Sequence, residues 1–202
     1  MSSGTVFVIS GPSGSGKDTI FAEIFKVRPD IYFSISSITR KMREGEVQDQ
    51  KYHFISVEEF EKGIENGEFL EYNKFLENYY GTPKAPIEKH IALGDDVLIE
   101  VDVNGAAAIK EKMPNSVHIF VMPPSFEELY RRLSGRGTET KSEIEGRMNE
   151  ALTEISKANM YDYIVVNDKV DNAVKDILSI MRTYRLTLKT QKNIIDEVLK
   201  NA

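Results

Sequence analysis

A chain of 202 residues fits one domain, or one core with insertions, and can bury roughly 70% of its extended surface, so it needs no covalent staple to fold. The absence of Cys excludes disulfides, thiolate metal sites and cysteine nucleophiles, and His53, His90 and His118 lie too far apart in sequence to suggest a zinc site. A net charge of -6, from 26 basic and 32 acidic residues, argues against broad binding to nucleic acid or anionic membrane, and no apolar run approaches the ~20 residues of a membrane helix.

In chain order, residues 1–4 lead straight into the apolar run 5–10 (TVFVIS) with no basic segment or cleavage signal, so no secretory peptide and a cytoplasmic location are expected. Similar short runs at 96–101 (DVLIEV), 117–121 (VHIFV) and 163–166 (YIVV) read as strands buried on both faces. Between them lie helical stretches. One runs from 18 to about 25 after a glycine loop, one covers 83–93 and is closed by Gly94, and one opens on the capping box Ser125-x-x-Glu128. Alternating strands and helices predict a parallel α/β sheet.

Residues 35–82 break that rhythm. Ser56-x-x-Glu59 caps a short helix flanked by strand-like pieces and polar turns, which predicts a small α+β insertion. Residues 134–146 are polar and glycine-bearing with few apolar anchors, the composition of a mobile loop, so 134–150 is read as a lid. Near the end, Ile194, Ile195, Val198 and Leu199 share one face of an amphipathic helix expected to pack on the core.

Gly11, Pro12, Ser13, Gly14, Ser15, Gly16 and Lys17 follow an apolar strand and open a helix. In that context a GxxxxGK string is a phosphate cradle: glycines let successive backbone N–H groups point at an anion, and the helix N-terminus adds partial positive charge. Lys17 can then reach the β and γ phosphates of a nucleotide. The next position, where Ser or Thr usually binds magnesium, is Asp18, with a hydroxyl one step on at Thr19. Asp18 could coordinate magnesium through water, or could simply favour the positive end of the helix.

A phosphate loop names a donor, so an acceptor site is sought elsewhere. Arg40, Arg43 and Tyr52 lie close enough in sequence to clamp one phosphate, since arginine forks grip phosphate oxygens bidentately. Arg40, Lys41 and Arg43 could equally be a solvated turn paired with Glu44 and Glu46. With the pieces at 69–72 (FLEY), 78–82 (NYYGT), 98–105 (LIEVDVNG), 123–125 (PPS), 136–140 (RGTET) and 166–168 (VND), the ordered set resembles the guanylate kinases over about residues 5–180.

That resemblance implies a fold of class α/β: a parallel-sheet phosphate-loop kinase core, a small α+β acceptor-binding insertion and a mobile lid. It implies transfer of the γ-phosphoryl group of ATP to GMP, with Mg²⁺ as cofactor. Arg40, Arg43, Tyr52 and Tyr80 would hold the GMP phosphate, and Ser36, Glu71, Thr82 and Asp102 would read guanine. Arg132, Arg136 and Arg147 match the donor-side arginines and Asn167 a residue beside the donor adenine. Guanine chemistry fits this set, because a carboxylate such as Glu71 can accept from N1–H and N2–H while a hydroxyl such as Thr82 donates to O6. Lys17, Arg43, Arg132, Arg136 and Arg147 would surround the migrating charge, and no general base is needed because the acceptor phosphate is already ionised. The departures are Asp18, Glu100 where many members carry Asp, and Asn104 where Gln is usual. Two other functions are compatible with the sequence: a non-catalytic module of the same fold that holds a phosphorylated peptide, and a kinase for another nucleoside monophosphate.

Overall fold

The computed structural model describes residues 4–135 and 140–200. In chain order the elements are β1 (Val6–Ser10), α1 (Lys17–Val27), β2 (Tyr32–Ser34), β3 (Ser36–Ile38), β4 (Tyr52–Phe54), α2 (Val57–Glu65), β5 (Phe69–Phe75), β6 (Asn78–Pro83), α3 (Lys84–Leu93), β7 (Val97–Glu100), α4 (Val103–Lys112), β8 (Val117–Met122), α5 (Phe126–Ser134), α6 (Lys141–Ser156), β9 (Tyr163–Val166), α7 (Val170–Arg185) and α8 (Leu188–Lys200). They form two sheets.

The larger sheet is parallel throughout, in the order β2-β7-β1-β8-β9. Its central strand shows why the apolar runs are continuous. Phe7 and Ile9 pack with Ile20 and Ile24 of α1 and Ile177 and Met181 of α7, whereas Val6 and Val8 pack on the opposite face with Ile87 of α3 and Ile109 of α4. Successive side chains point to opposite faces, so a strand covered by helices on both sides needs apolar residues at every position. β9 departs from that expectation. It is the outer strand, and Tyr163, Ile164 and Val166 are exposed while only Val165 is buried.

The smaller sheet has the order β4-β3-β6-β5, with β3 and β4 parallel and the other pairs antiparallel. The capping box of α2 is present, Glu59 N donating to Ser56 Oγ at 3.1 Å and Ser56 N donating to Glu59 Oε2 at 2.8 Å. Phe60 of that helix stacks between Phe69 and Tyr79, at centroid distances of 4.3 and 5.1 Å, and so seats α2 on the sheet.

The sequence reading needs correction in three further places. Residues 141–146, read as loop, are the first turns of α6, opened by a second capping box between Thr140 and Glu143; positions 136–139, including Arg136, lie outside the described residues. α4 was not anticipated, because Asn104 and Gly105 are poor helix formers, yet Asp102 caps its N-terminus by accepting from both of their backbone N–H groups at 2.8 Å. The expected packing of the last helix on the core does not occur. α8 has no buried residue, and Ile194, Ile195, Val198 and Leu199 are between 47% and 68% exposed. Its first turn is tied down by Thr190 Oγ1 and Gln191 Nε2 donating to the carbonyl of Arg185 at 2.9 and 2.7 Å. A chain ending at Lys192 keeps those bonds and should unfold within a few degrees of the full chain, as followed by circular dichroism.

His118 on β8 is buried, with its ring near Tyr161, Nε2 2.8 Å from Ser116 Oγ, and its backbone N–H donating to Asp162 at 2.8 Å. Burial, helped by the Lys110 ammonium and opposed by Asp162, pushes its pKa down to about 4. The unfolded chain therefore takes up this proton near pH 6.5 and the native state does not, so stability is full above pH 6.5 and falls between pH 6.5 and 4. The slope approaches ~1.4 kcal/mol per pH unit for one proton. Urea unfolding of His118→Gln over that range should lose this share of the pH dependence, whatever the substitution does to stability at neutral pH.

Candidate active site

β1 lies between β7 and β8, where the chain's progression across the larger sheet reverses, and ligands of open α/β sheets collect at the carboxyl ends of such strands. The glycine loop occupies that crevice. Gly14 and Gly16 have φ of 86° and 92°, the left-handed region that favours glycine, and a Cβ on Gly16 would collide with Asn167 Nδ2. Lys17 opens α1 and folds back over the loop, Nζ donating to Gly11 O at 2.6 Å and lying 4.0 Å from Glu100 Oε1. Burial raises the pKa of Glu100, against the nearby Lys17 ammonium. An ammonium, a helix N-terminus and turned-in backbone thus converge on one place, the arrangement that binds phosphate.

The donor-side residues reach the loop from two directions. Arg132 on α5 donates through Nη1 to Ser15 O at 3.3 Å, through Nη2 to Asn167 O at 2.9 Å and through Nε to Glu128 at 2.8 Å. Together Arg131 and Arg132 hold the Glu128 carboxyl down at about 2. Arg147 on α6 donates through Nη2 to Ser13 Oγ. Asn167, just after β9, is buried under the loop; Nδ2 donates to Ser15 O at 2.7 Å and Oδ1 has no hydrogen-bond partner among the described residues.

On the other side, Glu71 of β5 and Thr82 of β6 are register partners, and the fully buried Thr82 hydroxyl donates to Glu71 Oε1 at 2.5 Å. The Thr82 hydroxyl, expected from the sequence to donate to guanine O6, is bonded here to Glu71. The other Glu71 oxygen abuts the first turn of α4, 3.1 Å from where a Cβ of Gly105 would be. Burial raises the Glu71 pKa, and Asp102 adds to the effect while the Thr82 bond opposes it.

Arg40 is bound bidentately to Glu46 at 2.6 and 2.5 Å, and its guanidinium lies over the Tyr52 and Phe54 rings at 5.4 and 5.3 Å. This is the pairing the sequence left open for that turn; the Arg40 bond, with the Arg43 backbone N–H, holds Glu46 at about 2. Arg43 itself stands exposed on the turn.

A cleft of about 770 Å³ joins the two sides, a volume typical of small-molecule sites. Of the residues named from sequence, Gly11, Ser13, Gly14, Gly16, Lys17, Asp18 and Thr19 line it on the loop side, with Arg132 above them. Ser36, Tyr52, Glu71, Tyr80 and Asp102 line it on the other side. Pro12, Ser15, Arg40, Arg43, Thr82, Arg147 and Asn167 are not among its lining residues. Sequence reasoning missed Lys51, Glu150 and Glu154, which also line the cleft. Glu154 on α6 is pushed up to about 7 by burial, with Lys17 opposing and Glu150 and Asp102 reinforcing the shift. Only a signal linking distant positions could have found these residues, since each is an ordinary charge on a turn or helix.

A parallel sheet with a glycine-and-lysine loop at its switch point, facing a second sheet across one cleft, defines a phosphate-loop nucleotide enzyme with two substrate sides. The guanylate kinase family model matches residues 3–184, and the chain belongs to that family, the kinases that phosphorylate GMP from ATP. It is 48% identical over 197 residues to the guanylate kinase of Clostridioides difficile, covering 98% of this chain and 96% of that protein. To the Lactiplantibacillus plantarum guanylate kinase it is 46% identical over 200 residues, covering 98% and 97%. The crystal structure of guanylate kinase from Anaplasma phagocytophilum superposes with a TM-score of 0.76 at 32% identity, covering 94% of this chain and 90% of that one. Among the described residues no helix is long and apolar enough to cross a membrane.

Proposed function

We propose that the cleft is where ATP and GMP meet, with the glycine loop, Lys17, Arg132, Arg136 and Arg147 on the donor side and Ser36, Glu71, Asp102, Tyr52, Tyr80, Arg40 and Arg43 on the acceptor side. The observation that carries this reading is the opposition of Lys17 and Glu71 across one cleft: a cation where a migrating phosphoryl group needs charge, and a buried carboxylate where guanine offers two donors. Residues 35–82 act as the GMP-binding insertion and 134–150 as the lid, and their approach excludes water so that transfer waits for both substrates. Thr82 works through Glu71, fixing the rotamer that faces the base. Arg40 takes its orientation from Glu46, and Asn167 stands on the adenine side of the donor site, holding the loop through Ser15 O.

Magnesium fits this donor set. It keeps most of its waters and takes one or two protein oxygens beside the substrate phosphates. Asp18 and Thr19 both line the cleft next to Lys17, and among the described residues no group of three or more acidic or His side chains forms a ready-made metal cage. Asp18, through water, or the Thr19 hydroxyl would hold the ion, which when bound neutralises phosphate charge. Lacking Cys and a basic surplus, the enzyme suits the cytoplasm, with nucleotides rather than nucleic acid as ligands. A coupled assay of ADP release with ATP and GMP tests the whole reading. Turnover that depends on GMP is expected, and GMP-independent ATP hydrolysis alone would refute it.

A further inference from the structure

Asp18 is the position where this chain leaves the usual phosphate-loop pattern, and it brings a like charge to the mouth of an anion cradle. In the fold that charge is paired. Lys51, on the turn leading into β4, donates through Nζ to Asp18 Oδ1 at 2.9 Å. The bond runs from the first turn of α1 to the edge of the smaller sheet, and both residues line the cleft. Beside it lies the Lys17 and Glu100 pair at 4.0 Å, so two cations and two carboxylates meet the incoming phosphates.

We infer that Lys51 is a positioning residue for the donor nucleotide: by neutralising Asp18 it lets the loop receive a triphosphate as if an uncharged hydroxyl residue stood there. The inference rests on the assignment of the loop as the ATP site. A mechanical latch between core and insertion is the competing role, and magnitude decides against it. The Lys51 and Asp18 side chains are 57% and 69% exposed, and ion pairs that exposed contribute too little to hold two parts of a fold together. Their effect on a ligand is another matter. A triphosphate carries several negative charges, each within a Debye length of the uncovered carboxylate. The smaller sheet thereby contributes to the donor site, since a lysine of the acceptor insertion sets the charge of the donor loop.

A double-mutant cycle read on equilibrium nucleotide binding tests this, with metal-free ATP titrated calorimetrically in the absence of GMP, so that the role of Asp18 toward magnesium does not enter. Lys51→Ala uncovers Asp18 and should weaken ATP binding roughly tenfold at low salt, the loss shrinking as salt is raised. The KM for GMP should change less than about twofold, because base and acceptor phosphate are held by other groups. Asp18→Ser alone should bind ATP at least as tightly as the parent. Asp18→Ser/Lys51→Ala should return affinity to within about twofold of the parent, because the repulsion and its remedy leave together. Lys51→Arg, which keeps the charge, should behave like the parent. Both positions are exposed, so the variants should fold, which circular dichroism checks. Additive losses in the double variant, or a Lys51→Ala variant that loses GMP affinity and keeps ATP affinity, would overturn the inference and make Lys51 an acceptor contact. A parent protein that binds no ATP would instead overturn the assignment of the loop, and this inference with it.

Discussion

Lys17→Ala should lower kcat by two to three orders of magnitude while the protein stays folded and still binds GMP. The side chain is mostly buried over the loop, 15% exposed, but belongs to none of the hydrophobic clusters, so its removal opens no cavity in the core. What it supplies is a fixed cation 2.6 Å from Gly11 O, beside the backbone donors of the loop. Preorganised groups aimed at charge that develops in a transition state are typically worth ~10²–10³ in rate each, or ~2.7–4 kcal/mol of barrier. Phosphoryl transfer depends on such groups more than most reactions, because positioning and charge neutralisation do nearly all the work. Lys17→Arg should not rescue it, since a planar guanidinium cannot occupy the place of a compact ammonium. The measurement is steady-state turnover with both substrates saturating, together with GMP affinity by titration. Near-normal kcat in Lys17→Ala would remove the loop from the mechanism.

How much of this was legible in sequence follows the distance over which each signal acts. The phosphate loop was legible because its parts lie within seven consecutive residues, 11–17, and its strand and helix context adjoins them. The apolar runs around Phe7, Leu98 and Ile119 were legible because burial on both faces demands them at every position. β2 and β3 were not, since three residues give no periodicity, and neither was the edge position of β9, which depends on where the chain leaves the sheet. The amphipathic pattern of α8 was read correctly as a helix with an apolar face, but amphipathicity says nothing of what, if anything, covers that face.

The same limit governs the site. Glu71 and Asp18 were visible as carboxylates among unexpected neighbours, but their partners Thr82 and Lys51 lie 11 and 33 residues away. Without those partners, Thr82 looks like a direct reader of the base and Asp18 like an unrelieved repulsion. Arg40 carried two compatible readings because a guanidinium suits phosphate and carboxylate alike, and in the fold Glu46 occupies its fork. What the chain alone could not convey was which charges are already answered.

GMP should be phosphorylated far better than AMP, and Glu71→Gln should erase much of that preference while leaving ATP affinity nearly intact. A carboxylate with one oxygen bonded to the Thr82 hydroxyl and the other beside the first turn of α4 lines the cleft with lone pairs left for a ligand. Guanine offers N1–H and N2–H to those lone pairs, whereas adenine sets its own N1 lone pair against them. A site built for hydrogen bonds rejects a ligand that leaves its polar groups unpaired by as much as ~10⁴-fold. Glutamine replaces one acceptor with an N–H₂ donor, which opposes guanine and suits adenine N1, so the variant should lose GMP affinity and gain AMP tolerance. Proton linkage gives the same residue a second signature. Burial raises the Glu71 pKa, and only the ionised form accepts both guanine donors, so GMP affinity should fall on acidification, beginning at a higher pH than for an ordinary glutamate. Protonated Glu71 can donate to adenine N1, so the GMP-to-AMP preference should narrow over the same range; the phosphate shared by the two nucleotides, which titrates at about pH 6, cancels in that ratio, and the narrowing should be absent in Glu71→Gln. The measurement is kcat/KM for GMP and AMP between pH 5 and 8 at saturating ATP for the two proteins. Equal use of AMP and GMP by the parent, or a preference indifferent to both pH and the Glu71 side chain, would place base recognition elsewhere in the cleft.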